Sequence, residues 1–360
     1  MTELEQRFDR YFATLDEDDP LRSAHILDLN AAQSSDVRDL ATAFADIKIE
    51  INNRFETNAV GIVAPEGPVR IHMDYIASSM VNAFAFYFEG WYFIGITDGM
   101  LELFAKSCTA LWRLNPLAEF LGIDPAREKR DSVFQFALLL ELQYISNHEL
   151  GHMFHGHCAG LREGRYRAEF DVATLVANSI GMEGQARELE ADGYAINLLL
   201  KNLLQSDTGT FMHRRVQSTK SVREFVVTLF LLSLAATLYH VKSAPFDAAK
   251  VRGGDHSDGL IRMNILLGEI LGWCADNIDW KDAISQDDFQ RIMELIVTAV
   301  SNPIQEQIWR DQGAYLLTDE GREYLNDIYK RRINLRLKMN PHHWRLSTEV
   351  QPPKHNGDQE

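Results

Sequence analysis

The run Asn147-His148-Glu149-Leu150-Gly151-His152 places two histidines four residues apart, with a glutamate directly after the first. It sits in an apolar-rich stretch that reads as a helix. On a helix, residues i and i+4 lie one turn apart on the same face, so the imidazoles of His148 and His152 can reach one ion. Zn²⁺ suits such a mixed imidazole and carboxylate site. Glu149 is rotated about 100° around the axis from His148. That is too far round for a good ligand, but it can reach a water held by the ion. Zinc lowers the pKa of such a water towards about 7, and a carboxylate beside it can take the proton as the water attacks a peptide carbonyl.

A catalytic zinc needs a third protein ligand and keeps a fourth position free. A third histidine six residues after the second, the metzincin solution, would fall at Cys158, so that pattern fails. Downstream, 36 residues past His152, stands Glu188 in Arg187-Glu188-Leu189-Glu190-Ala191-Asp192, again in a helical context. In the gluzincin arrangement a carboxylate from a following helix completes the site. An aspartate one turn later hydrogen-bonds the distal nitrogen of a ligand histidine. Glu188 and Asp192 have that spacing. Glu190 competes for the ligand role, though the aspartate spacing favours Glu188. Small Ala191 would let the two helices approach closely. His155 and His157 read as packing or capping the end of the first helix rather than as a second metal site.

With Gly156-His157 following the first motif and Ala191-Asp192 closing an E-x-x-A-D, the sequence resembles the M48-type gluzincin metallopeptidases, the Ste24- and HtpX-like group. The likeness extends to Asn82-Ala83-Phe84-Ala85, to the following GWYFIGIT and GMLELF, and to His256 and Arg262 at H-x-x-x-x-x-R spacing. It covers roughly residues 80 to 265. It implies a zincin-like helical domain with one zinc per chain. It further implies that Asn82 to Phe86 form a sheet edge that pairs with extended substrate, that His256 stabilises the oxyanion, and that Arg262 supports the carboxylates of the metal site. Two departures stand out: Ser257 replaces the family proline, and typical members are membrane-embedded. Soluble ImmA/IrrE-like peptidases share H-E-L-G-H and a later E-x-E-A, but they normally carry asparagine at the Asp192 position. Lit-like peptidases share the H-E-x-x-H and G-H continuation.

The elements that must position these residues are mostly helical. Ser35 to about Asn53 reads as one amphipathic helix with Val37, Leu40, Ala41, Phe44, Ile47 and Ile51 on a stripe. GIVAP and VRIHM, separated by Pro65 to Pro68, read as two strands and a turn. Val81 to Thr97 is aromatic and β-branched and breaks at Glu89-Gly90, which predicts a hairpin. Asp98 can cap the helix that follows. Further helices are expected at about 132–157, 166–178, 183–204, 222–241 and 258–275, with two or three more before a polar tail expected to be disordered over 346–360. No repeat, long linker or composition break divides the chain. The fold class is therefore mainly α (α+β): one domain over 1–345, with a small hairpin or sheet at the edge of the site.

The 360 residues are 46% hydrophobic and 24% charged, an ordinary globular composition. A formal charge of −16 disfavours nucleic acid and anionic membrane surfaces as partners. Cys108, Cys158 and Cys274 are odd in number and widely spaced, which argues against a disulfide framework or a cysteine zinc knuckle. The acidic N-terminus does not read as a signal peptide. Phe225 to Val241 holds 17 residues without a formal charge, and a helix buried in a large core accounts for it better than a membrane span. The expectation is a cytoplasmic zinc endopeptidase acting on a protein or peptide substrate and latent or selective for few targets, a setting that leaves room for a protein activator or inhibitor. The alternative is a catalytically idle, zinc-stabilised binding protein on the same scaffold.

Overall fold

Capping, turn and burial signals account for most of the local structure in the computed structural model, which describes residues 2–65, 67–112, 115–124, 126–157, 181–205, 208–241, 245–254, 259–277, 280, 283–300, 302–340 and 343–346. Helix α1 (Glu3–Ala13) opens with a capping box between Thr2 and Glu5 and buries Phe8, Tyr11 and Phe12. Where one helix is expected from Ser35, there are two, α2 (Ser35–Asp39) and α3 (Ala41–Ala59). The break falls at Leu40, whose φ of −103° and ψ of 9° leave the helical region and let its amide close the end of α2. Val37, Phe44, Ile47 and Ile51 of the expected stripe are buried on either side of the break, while Leu40 and Ala41 at the break are half-buried.

The short runs after α3 are strands, but they enter different sheets. β1 (Ile62–Ala64) pairs antiparallel with β2 (Gly67–Pro68), whereas β3 (Ile71–Ile76) runs parallel to β5 (Trp91–Thr97). β4 (Ala83–Phe88) pairs antiparallel with β5, giving the order β3-β5-β4. Glu89 and Gly90 turn this hairpin with φ of 45° and 81°, the left-handed pair that a two-residue turn requires. Alternation along β4 divides two cores. Phe84 and Phe86 join Phe93 against the aromatic face of α1, while Ala83 and Ala85 face the main core.

Ten helices follow among the described residues: α4 (Asp98–Trp112), α5 (Asn115–Phe120), α6 (Arg127–Phe154), α7 (Met182–Gln205), α8 (Thr208–Val216), α9 (Val222–His240), α10 (Gly259–Asp276), α11 (Gln286–Val300), α12 (Pro303–Leu316) and α13 (Asp319–Met339). The chain is thus mainly helical with small sheets. The helix expected at 166–178 and the tail after Leu346 lie outside the described residues, as does His256. α9 is the one helix among them long and apolar enough to cross a membrane, yet 83% of its apolar window is buried. It is packed by α4, α6, α10 and α11, and every residue from Phe225 to Tyr239 is buried. A helix enclosed by protein on all sides needs an apolar surface all round.

The last described elements return to the first sheet. α13 packs along α7, and β6 (Arg345–Leu346) adds to β1 as a third strand. Trp344 donates its amide to Phe154 O at 3.0 Å, satisfying a carbonyl at the end of α6. The main core accordingly includes residues from Leu27 to Trp344.

Candidate metal centre

Helices α6 and α7 meet backbone to backbone. A Cβ placed on Gly151 would lie 3.0 Å from Ala191 Cα and 3.1 Å from its carbonyl oxygen. Glycine on one helix and alanine on the other permit this approach, and it carries His148, His152 and Glu188 to a common point. Their ligand atoms all lie within 4.8 Å of one another, and all three side chains are buried. The two Nε2 atoms are 3.1 Å apart, and Glu188 places Oε2 3.3 Å from His148 Nε2 and Oε1 3.6 Å from His152 Nε2. Ligands at tetrahedral positions with bonds of 2.0–2.1 Å stand about 3.3 Å apart, so the triangle matches the spacing that a zinc-sized ion imposes. This group could hold a metal ion.

The outer nitrogen of each histidine is engaged as well. His148 Nδ1 lies 2.7 Å from Asp192 Oδ1. Arg262, from α10, donates to Asp192 with both Nε (3.1 Å, to Oδ2) and Nη2 (2.7 Å, to Oδ1), and Tyr144 Oη adds a 2.6 Å hydrogen bond to Oδ1. Burial works against a charge on Asp192, but the Arg262 guanidinium and His148 hold its carboxyl well below the usual range. A forked arginine on an ionised carboxylate fixes both the plane and the charge of the group facing His148.

On the other side, His152 Nδ1 lies 2.9 Å from His157 Nδ1, and His157 Nε2 lies 3.3 Å from Glu190 Oε2. Arg336, from α13, donates through Nε to Glu190 Oε1 at 2.7 Å. The end of α6 explains how His157 arrives there. Gly156 takes a left-handed φ of 72°, His157 N bonds His152 O at 2.8 Å, and Gly156 N bonds Met153 O at 3.0 Å. This is a Schellman cap, and it folds the residue after the glycine back over the last turn. Burial pushes the His157 imidazole down to about 3, so the ring is neutral. Burial opposes ionisation of Glu190 too, but the His157 hydrogen bond, His155 and Arg336 bring it down to about 2.

Glu188, not Glu190, therefore belongs to the ligand group. His157 caps the end of α6 through its amide, as expected, and in addition touches a candidate ligand through a ring nitrogen. His155 lies nearer that reading, with its ring edge-on to Phe154, Tyr194 and His343. Glu149 is fully buried on α6 beside His148. Asn82, Ala83, Phe84 and Ala85 lead into and form the edge strand β4, and all four are buried. Asn82 is held by Thr97, whose Oγ1 both accepts from its amide (3.0 Å) and donates to its carbonyl (2.8 Å). Gly156 is a legible signal for the cap that delivers His157. Tyr144 and Arg336 carry no comparable local mark, since one is an aromatic in a core helix and the other an arginine in a basic one.

Comparison with protein-family models, with curated proteins and with solved structures gives no match to this chain.

Proposed function

We propose that the site makes this chain a zinc-dependent hydrolase of the zincin class. More particularly, it is a gluzincin-type endopeptidase with His148, His152 and Glu188 as ligands and Glu149 as general base. The observation that carries the reading is the triangle of two Nε2 atoms and one carboxylate at tetrahedral spacing, with separations of 3.1, 3.3 and 3.6 Å. When bound, zinc supplies a Lewis acid for the scissile carbonyl and lowers the pKa of a water in the position left by three protein ligands. Glu149 takes the proton from the attacking water and delivers it to the leaving amine. Asp192, locked by Arg262 and Tyr144, keeps the proton of His148 on Nδ1 and leaves a lone pair on its Nε2 for ligation. β4, the outer strand of the described sheet, pairs after a local opening with the extended backbone of a protein or peptide substrate, and His256 supports the oxyanion.

Burial of the ligands favours a second reading, a zinc-stabilised protein without turnover, because His148, His152 and Glu188 are 0%, 1% and 3% exposed. One set of variants separates the two. Elemental analysis of the full chain is expected to find one zinc. Glu149→Gln is expected to keep it while abolishing cleavage of an unfolded peptide library, and Glu188→Gln to lose metal. Absence of bound transition metal overturns the proposal. Zinc with no cleavage in any preparation moves the chain to the second reading.

A further inference from the structure

We propose that His157 is a positioning residue for the metal centre, and that Glu190 and Arg336 act through it to set the tautomer of His152. The inference rests on the reading of His152 as a ligand. His152 turns Nε2 towards His148 and Glu188 and meets His157 Nδ1 with its other nitrogen at 2.9 Å. Two imidazole nitrogens at this distance share one proton, so one donates and the other accepts. A lone pair on His152 Nε2, as ligation needs, puts the proton on His152 Nδ1. His157 Nδ1 then accepts, and the His157 proton sits on Nε2, facing Glu190 Oε2 at 3.3 Å.

Glu190 decides the direction of this chain. Arg336 Nε donates to its Oε1 at 2.7 Å, and Oε2 stands opposite His157 Nε2 as the acceptor that a ring N–H needs. The opposite tautomer of His157 would turn a lone pair towards that carboxylate, and His152 would then carry its proton on Nε2, where the ion must bind. The two ligand histidines are therefore set by different means. Asp192 fixes His148 directly, whereas a carboxylate one imidazole further out fixes His152. The second arm depends on tertiary contacts from both ends: the Schellman turn at Gly156 supplies His157, and the C-terminal helix α13 supplies Arg336.

The experiment uses the full chain and compares wild type with His157→Ala, His157→Asn and Glu190→Gln. Zinc affinity is read by competition with a chromogenic chelator. The His152 tautomer is read in the metal-free protein by nitrogen-15 shifts of labelled histidine. Wild type is expected to hold His152 as the Nδ1–H form. His157→Ala is expected to mix the tautomers and weaken zinc binding by about 10- to 100-fold, the usual cost of losing a partner behind a ligand. His157→Asn, whose side-chain oxygen takes the place of Nδ1 as acceptor, is expected to recover part of that loss. A purely structural role would not distinguish Asn from Ala in this way. Glu190→Gln tests the same arm if His157→Ala does not fold, with mixed tautomers expected again. Zinc affinity in His157→Ala within twofold of wild type overturns the inference, as does an Nε2–H His152 in the wild type. Failure of wild type to bind zinc overturns the metal reading itself and shows in the parent alone, while the tautomer measurement reports on His157 without metal.

Discussion

Two carboxyls buried on neighbouring helices show how partners decide charge. Asp192 is ionised because a forked arginine faces it. Glu141, two turns before His148 on α6, has no such partner in its network. It accepts from Thr237 Oγ1 at 2.9 Å and contacts Cys108 Sγ at 3.6 Å. Burial pushes its carboxyl well above the usual range, although both hydrogen bonds pull the other way. A carboxyl raised in the fold favours the folded state most below the pKa of the unfolded chain, near 4.3, and loses that contribution as pH rises towards its folded pKa. Wild-type stability is therefore expected to carry a decline of up to about 1.4 kcal/mol per pH unit from this group above pH 5. Glu141→Gln is expected to lack that component, which urea midpoints measured from pH 5 to 8 would show. Parallel profiles for the two proteins would contradict the assignment.

At the scale of elements, the candidate metal centre is a property of the α6–α7 pair. Their separation is set by Gly151 and Ala191, with Tyr194 Cβ also 3.3 Å from where a Gly151 Cβ would stand. Gly151→Ala adds one methyl at a contact that is already closed. It is expected to destabilise the fold by about 1–3 kcal/mol, the range for overpacking, despite the better helix propensity of alanine. Because the ligands sit on both helices, the same change is expected to weaken zinc binding, measured by chelator competition beside the urea midpoint. Unchanged affinity would mean that the pair adapts without moving its ligands. The hairpin shows an element legible in advance, since Glu89-Gly90 and the alternation around it marked β4 and β5. The split of the Ser35 helix at Leu40 was not legible, because the apolar stripe runs through the break.

Across the whole molecule, the groups of the candidate site are enclosed. Glu149 and His148 are fully buried, and the β4 edge from Ala83 to Phe86 is at most 2% exposed. A substrate backbone cannot reach an edge closed in this way without a local opening, and such openings cost free energy. The full chain is therefore expected to cut unfolded casein slowly and to leave folded lysate proteins intact. Gel and mass-spectrometric analysis of both mixtures measures this. Rapid, indiscriminate degradation without an added partner would rule out a closed resting state.

The sequence by itself determined the residues of the candidate site that lie within reach of one helix turn. His148, Glu149 and His152 follow from the i, i+4 geometry of α6, and Glu188 with Asp192 from the same spacing on α7, because helical periodicity is a local property written in residue order. The mainly helical class and the buried character of α9 were legible for the same reason. Only the tertiary structure decided that Glu190 turns to His157 and Arg336, and that His157 stands behind His152. The same holds for Tyr144 beside Asp192, and for Arg336, which reaches the site from 146 positions beyond Glu190. It also sent β1 and β3 to different sheets and brought β6 back to β1. These contacts join residues far apart in the chain. Their pairing depends on how helices and strands pack, and neither periodicity nor motif spacing carries that information.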